Sequence, residues 1–211
     1  MPSIDKYKFW RPTSVVIFLR HWVAVVLLAF LPGNSPAGES GAYPRVFRTF
    51  MPESGPSAFV VELSSRLALC YDPLRGGVNR IWNGGIDLSP TRLAKINNFA
   101  KIVGKEFYRE TRQFPLRLGK EGPRPRFKGY RYLKDGIVFE FALGGQLVTE
   151  TLRATKDGRG LVRELKLPNQ AFFSLENQRA AEVTVHGGRE VKPGQWQFEA
   201  GAIVRMVITP R

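Results

Sequence analysis

The strongest signal along this 211-residue chain is an apolar period of two. In Ile137-Val-Phe-Glu-Phe-Ala-Leu143 the residues Ile137, Phe139, Phe141 and Leu143 fall on one face, and Gly144-Gly145 follows as a tight turn. Leu147 to Thr155 is therefore expected as the return strand. Lys156 to Gly160 reads as a second turn, and Leu161 to Leu167 as a further strand ended by Pro168, which has no N–H for a ladder. Glu182 to Val191 reads as a hairpin around Gly187-Gly188, and Trp196 to Glu199 as one more strand. Ala202 to Ile208 is apolar at both parities except at Arg205, which predicts a strand inside a sheet.

Val46 to Phe50, Ala58 to Leu63, Leu67 to Tyr71 and Val78 to Trp82 predict four earlier strands, the first, third and fourth of them ended by Pro, Asp-Pro or Gly. Only Thr91 to Val103 has helical spacing, through Leu93, Ile96, Phe99 or Ala100, and Val103; a short amphipathic helix or a loop is expected there. The fold class this implies is all-β, an antiparallel β-sandwich with at most one short helix. No internal repeat divides the chain. The expected organisation is a targeting segment at 1–37, a linker leading into the domain at 38–57, and the sandwich at 58–211.

The targeting reading rests on Lys6, Lys8, Arg11 and Arg20, followed by an apolar run from Trp22 to Leu31 that Pro32-Gly33 stops. Ser35-Pro36-Ala37 offers small residues for cleavage, with Gly38 as the new N-terminus. The rival is a retained anchor from Val15 to Leu31. Arg20 and His21 interrupt it, and a spanning helix needs roughly 20 apolar residues. A periplasmic or secreted location is expected, with membrane contact only through an uncleaved N-terminal segment.

The formal charge is +14, and removing residues 1–37 leaves 28 Lys and Arg against 17 Asp and Glu, so the basicity belongs to the folded domain. Anionic partners are expected, among them acidic polysaccharide, phospholipid headgroups or an acidic protein face, although excess charge also serves solubility alone. Export makes nucleic acid an unexpected ligand.

A single Cys excludes a disulfide framework and a cysteine-based metal site, and without Cys-x-x-Cys-His there is no covalently attached haem. No cofactor and no metal site are expected. Beyond residue 37 the chain has one histidine, His186, beside the Gly187-Gly188 pair, so a histidine-dependent catalytic unit has one candidate base. Cys70, among apolar neighbours, reads as a buried, inert thiol. Glu53, Glu62, Asp72, Asp87, Glu106 and Glu110 are candidate carboxylates for glycoside hydrolysis, and spacing does not choose among them.

Two segments carry candidate binding residues. From Tyr108 to Tyr132 cations including Arg112 and Arg126 alternate with aromatics including Tyr130, a mixture that grips polyanions or stacks on rings. The same pattern also arises when strand aromatics fill a sandwich and cations coat it. In Trp82-Asn-Gly-Gly-Ile-Asp87, Trp82 would offer a flat apolar face, and Asn83 and Asp87 hydrogen bonds to hydroxyls. The alternative is a core tryptophan followed by a glycine turn.

Five motifs occur in an ordered series: Tyr43-Pro-Arg-Val-Phe-Arg-Thr-Phe-Met-Pro-Glu-Ser-Gly-Pro56, Leu69-Cys-Tyr-Asp72, Ile81-Trp-Asn-Gly-Gly-Ile-Asp87, Phe114-Pro-Leu-Arg117 and Pro125-Arg-Phe-Lys-Gly-Tyr130. Together they resemble, over roughly residues 43 to 165, an exported accessory domain of planctomycete and verrucomicrobial bacteria that is often fused to c-type cytochrome modules. The haem-attachment motif of those modules is missing here. The resemblance implies an accessory domain standing alone, with a c-type cytochrome or dehydrogenase among its partners. The expected function is thus a secreted or periplasmic binding or accessory module for carbohydrate or a redox partner protein. The alternatives are a carbohydrate-active enzyme on a mutarotase-like sandwich and a structural envelope protein.

Overall fold

In a computed structural model the described residues are 43–93, 98–118, 124–176 and 178–211. The targeting segment expected at 1–37 lies outside them. Among the described residues the chain forms three antiparallel sheets and one short helix, α1 (Ser89–Leu93). The first sheet is a meander of β1 (Arg45–Arg48), β2 (Phe59–Ser64), β3 (Leu67–Asp72), β4 (Gly77–Asp87) and β5 (Lys101–Arg109). β1 falls within the 38–57 stretch.

The second sheet has six strands, in the order β12 (Ala181–His186), β15 (Ile203–Pro210), β10 (Leu161–Lys166), β9 (Gln146–Ala154), β8 (Gly136–Leu143) and β7 (Arg126–Leu133). The third has four, in the order β13 (Arg189–Lys192), β14 (Gln195–Phe198), β11 (Ala171–Ser174) and β6 (Leu116–Arg117). The Gly144–Gly145 turn between β8 and β9 has φ of 60° and 81°, the left-handed pair that a two-residue hairpin needs. β15 runs between β12 and β10, inside the sheet as its two-sided apolar pattern predicts.

The period of two explains how one sheet serves two partners. Ile137 and Phe139 of β8, Leu152 of β9 and Leu161 of β10 pack with the first sheet, against Phe59, Leu69, Tyr71 and Tyr108. Further along the same face, Phe141, Val148 and Leu165 pack with the third sheet, against Leu116, Phe173 and Phe198. Between the two cores, on that same face, lie Glu150 and Arg163, fully buried, with Arg163 Nε donating to Glu150 Oε1 over 2.7 Å. Burial opposes the guanidinium charge. Glu150, Tyr108 and Tyr71 outweigh it and raise the Arg163 pKa. The outer face of the first sheet is covered in turn: Val60, Ala68, Cys70 and Trp82 pack with Met51, Ala58 and Ala100.

Two sequence expectations are corrected. Glu182 to Val191 is not a hairpin, because β12 pairs with β15 while β13 pairs with β14 in another sheet. Only Gly187 has positive φ, and a Cβ on Gly188 would lie 2.3 Å from the Phe198 ring, so the two glycines carry the chain between sheets over a core phenylalanine. The helical spacing of Thr91 to Val103 does not hold to its end: α1 is described over Ser89–Leu93, and Lys101 to Val103 pair with β4. There Ile102 is half-buried while Val103 is exposed, the alternation of a strand.

Candidate functional site

The six binding residues chosen from sequence occupy separate places. Trp82 is fully buried in the outer core of the first sheet, and its Nε1 donates to the Gly85 carbonyl over 2.7 Å. It offers no face to a ligand, because the loop carrying Met51 and Ala58 and the segment carrying Ala100 lie over it. Gly84 and Gly85 are not a turn either; they continue β4 opposite Gly104 and Val103. Asp87 accepts the Ser89 N–H over 2.8 Å at the start of α1, and the Ser89 hydrogen bonds hold its carboxyl below the usual range. It organises a helix start.

Arg126 is exposed at the beginning of β7. Tyr130, on the same strand, is partly exposed in an aromatic row, 5.4 Å from the Phe59 ring and 5.8 Å from Tyr132. Asn83 joins two turns through its amide, which donates to the carbonyls of Arg66 and Arg159. Of the six, Arg112 alone lines a cleft of about 560 Å3.

This cleft lies where the edge strand β12, the segment after β11 and the β13–β14 hairpin converge. Val183 and Val185 form an apolar wall continuous with the core below. Trp196, cross-strand from Phe173, is half-buried and lines the space beside them. Polar groups from four segments also line it: Arg112, Glu176, Gln178, Glu190 and Arg211.

The first four are braced. Thr111 Oγ1 donates to Glu176 Oε1 over 2.5 Å, and Arg112 Nε lies 3.6 Å from the same oxygen. Gln178 bonds both the N–H (3.1 Å) and the carbonyl (2.8 Å) of Arg109, tying the β11 exit to β5. Glu190 Oε1 accepts the Gly194 N–H over 2.8 Å. Behind the cleft the Arg112 N–H donates to Glu110 Oε1 over 3.0 Å. Burial raises the Glu110 carboxyl, the Glu176 charge adds to this, and the Arg112 N–H and the nearby guanidinium groups oppose it.

None of the six carboxylates drawn from sequence lines this cleft. Glu53 and Glu106 share Arg80 and Arg109 in an ion-pair network on the first sheet. Glu62 pairs with Arg45, and Asp72 accepts N–H groups of Gly55 and Leu74 at 2.6 and 3.0 Å. His186 is exposed at the end of β12 and also lies outside the cleft lining. Among the described residues no three His, Cys, Asp or Glu side chains are grouped to hold a metal, and no helix is long and apolar enough to cross a membrane.

Sequence reasoning missed Glu176, Gln178, Glu190 and Trp196. Trp196 was placed on a strand, yet its parity matches buried Phe198, so period two alone points it inward. Its half-burial comes from standing in the β13–β14 hairpin at the edge of the core shared by the second and third sheets. No protein-family model, no curated protein and no solved structure matches the chain.

Proposed function

We propose that this chain is a secreted or periplasmic binding module whose cleft at Arg112, Glu176, Gln178 and Trp196 takes a hydroxyl-rich, saccharide-like ligand. The observation that carries this reading is the lining: a half-buried indole and two valines stand beside an amide, carboxylates and a guanidinium in one cleft of about 560 Å3. An aromatic ring covers the C–H face of a sugar, while braced amide and carboxylate groups exchange hydrogen bonds with its hydroxyls. The bracing favours binding over turnover, since Glu176 and Glu190 are both occupied by donors of their own chain. The export half of the reading is supported by the basic and apolar sequence of residues 1–37.

The test is retention of the purified protein on a panel of insoluble neutral polysaccharides, at low salt and above physiological salt. Retention on at least one polymer, unchanged by salt and lost in Trp196→Ala with an unaltered circular dichroism spectrum, is expected. Failure to bind any neutral polymer contradicts the proposal. N-terminal sequencing of native protein should begin at Gly38 or a close neighbour, and an intact Met1 would remove the export half.

A further inference from the structure

A second cleft, of about 550 Å3, opens where the β2–β3 turn, the β9–β10 turn and the β4–β5 ladder meet, and no acidic side chain lines it. Arg66, Lys105 and Arg159 all line it, and all three are exposed. Among the described residues none of the three takes part in an ion pair. In a chain of charge +14 an unpaired cation is ordinary. Convergence of three on one cleft without an acidic side chain, which Arg211 lines as well, is not, because like charges held together repel unless an anion joins them.

The convergence is built into the backbone. Asn83 Nδ2 donates to the carbonyls of Arg66 (3.1 Å) and Arg159 (2.8 Å), and the Gly84 N–H donates to the Arg66 carbonyl over 3.0 Å. Ser64 Oγ donates to the Gly158 carbonyl over 3.0 Å, a further tie between the same two turns. Lys105 stands directly opposite Asn83 in the β4–β5 ladder. Beside them Gly84 and Gly104, at φ of 128° and 133°, come so close that a Cβ on either would lie 2.0 or 1.9 Å from a carbonyl oxygen of the other strand. Asp157, the neighbouring acid, accepts from Thr155 Oγ1 and the Arg159 N–H instead of lining the cleft.

We propose that this cleft is a binding site for a sulfate or phosphate ester, with the Arg66 and Arg159 guanidiniums as donor forks, Lys105 as the third charge, and Asn83 as the residue that positions both turns. Guanidinium forks match tetrahedral oxyanions in geometry, and the ammonium adds a point charge. The inference does not rest on the saccharide cleft: Arg211 lines both clefts, but the three side chains that carry the inference line only this one.

The experiment is calorimetric titration of the full chain with inorganic phosphate, inorganic sulfate and a sulfated dextran oligosaccharide, with neutral dextran as the blank. The expected result is binding of an oxyanion-bearing ligand at low salt, weakened about tenfold or more in the triple variant Arg66→Ala, Lys105→Ala, Arg159→Ala. A control triple variant, Arg126→Ala, Lys128→Ala, Lys134→Ala, removes equal exposed charge and should shift affinity about twofold at most, within the effect of diffuse surface charge. Asn83→Ala should weaken binding while leaving the salt dependence unchanged, because it releases the turns without removing charge. Binding of the inorganic ions with the same variant pattern identifies the oxyanion alone as sufficient; binding of the oligosaccharide only identifies a polymer-borne ester. Equal losses in the two triple variants, or no binding of any anion at low salt, overturns the proposal. Neither result bears on Trp196, so this failure is distinct from failure of the saccharide reading.

Discussion

Two tryptophans on antiparallel strands have opposite fates. Trp82 lies in a sheet packed on both faces, fully buried, with its N–H closed by the Gly85 carbonyl. Trp196 lies near the edge of the third sheet, where the core ends and a cleft begins, and is half-buried beside Arg112, Glu176 and Gln178. The sequence around Trp82, with its asparagine, glycines and aspartate, looks the more site-like of the two. What separates them is whether another layer of chain lies over the ring, and that depends on segments remote from either strand.

The largest expected effects come from the buried side. Trp82→Ala should destabilise the fold by about 3–5 kcal/mol in urea unfolding through a cavity in the outer core, while the remaining folded protein keeps its ligand affinity. A loss below 1 kcal/mol in the same experiment would mean that the ring is not enclosed. Glu150→Gln should cost about 3–5 kcal/mol as well, since it leaves the Arg163 guanidinium buried without its counter-charge between the two cores. Glu53→Ala, in the more exposed network with Arg80 and Arg109, should cost about 1 kcal/mol or less. If the two carboxylate variants are equally destabilising, the Glu150–Arg163 pair is not enclosed between the two cores.

A smaller and pH-dependent effect is expected at Cys70. Burial pushes its thiol from an ordinary 9.0 up to about 12, with the Asp72 charge acting in the same direction. The folded state therefore holds the proton more tightly than the unfolded one. This contribution is complete below pH 9 and is lost as pH rises from 9 towards 12. Compared with Cys70→Ala, the native protein should lose stability more steeply in that window, and a thiol reagent should label it only after denaturation. Rapid labelling of the native chain would show that β3 is open on its outer face.

What was legible from sequence followed from locality. β8, β9 and β10 are neighbours in the chain and in the sheet, so their alternation and the Gly144–Gly145 pair contained most of the information needed to place them. The step from β12 to β13 was misread because each pairs with a strand further along the chain, and Gly187-Gly188 signals a sharp change of direction in either case. The outer cover of Trp82 was hidden for the same reason: no residue of β4 records that Met51 and Ala100 will lie over it. Arg112 alone of the cleft residues was singled out, through its basic and aromatic neighbourhood. Glu176, Gln178, Glu190 and Trp196 reach it from loops and strands whose convergence only the three-sheet packing creates.

The central claim is that the Trp196 cleft, and not the Trp82 segment, receives the ligand. Its most direct test is titration calorimetry of Trp82→Phe and Trp196→Ala against a soluble fragment of whichever neutral polysaccharide retains the native protein. Trp82→Phe keeps an apolar ring in the core and should leave the dissociation constant within about twofold, while Trp196→Ala should raise it by about tenfold or more, as the loss of a stacked aromatic contact requires. Undiminished binding by Trp196→Ala, or loss of binding in a folded Trp82→Phe, would contradict the account.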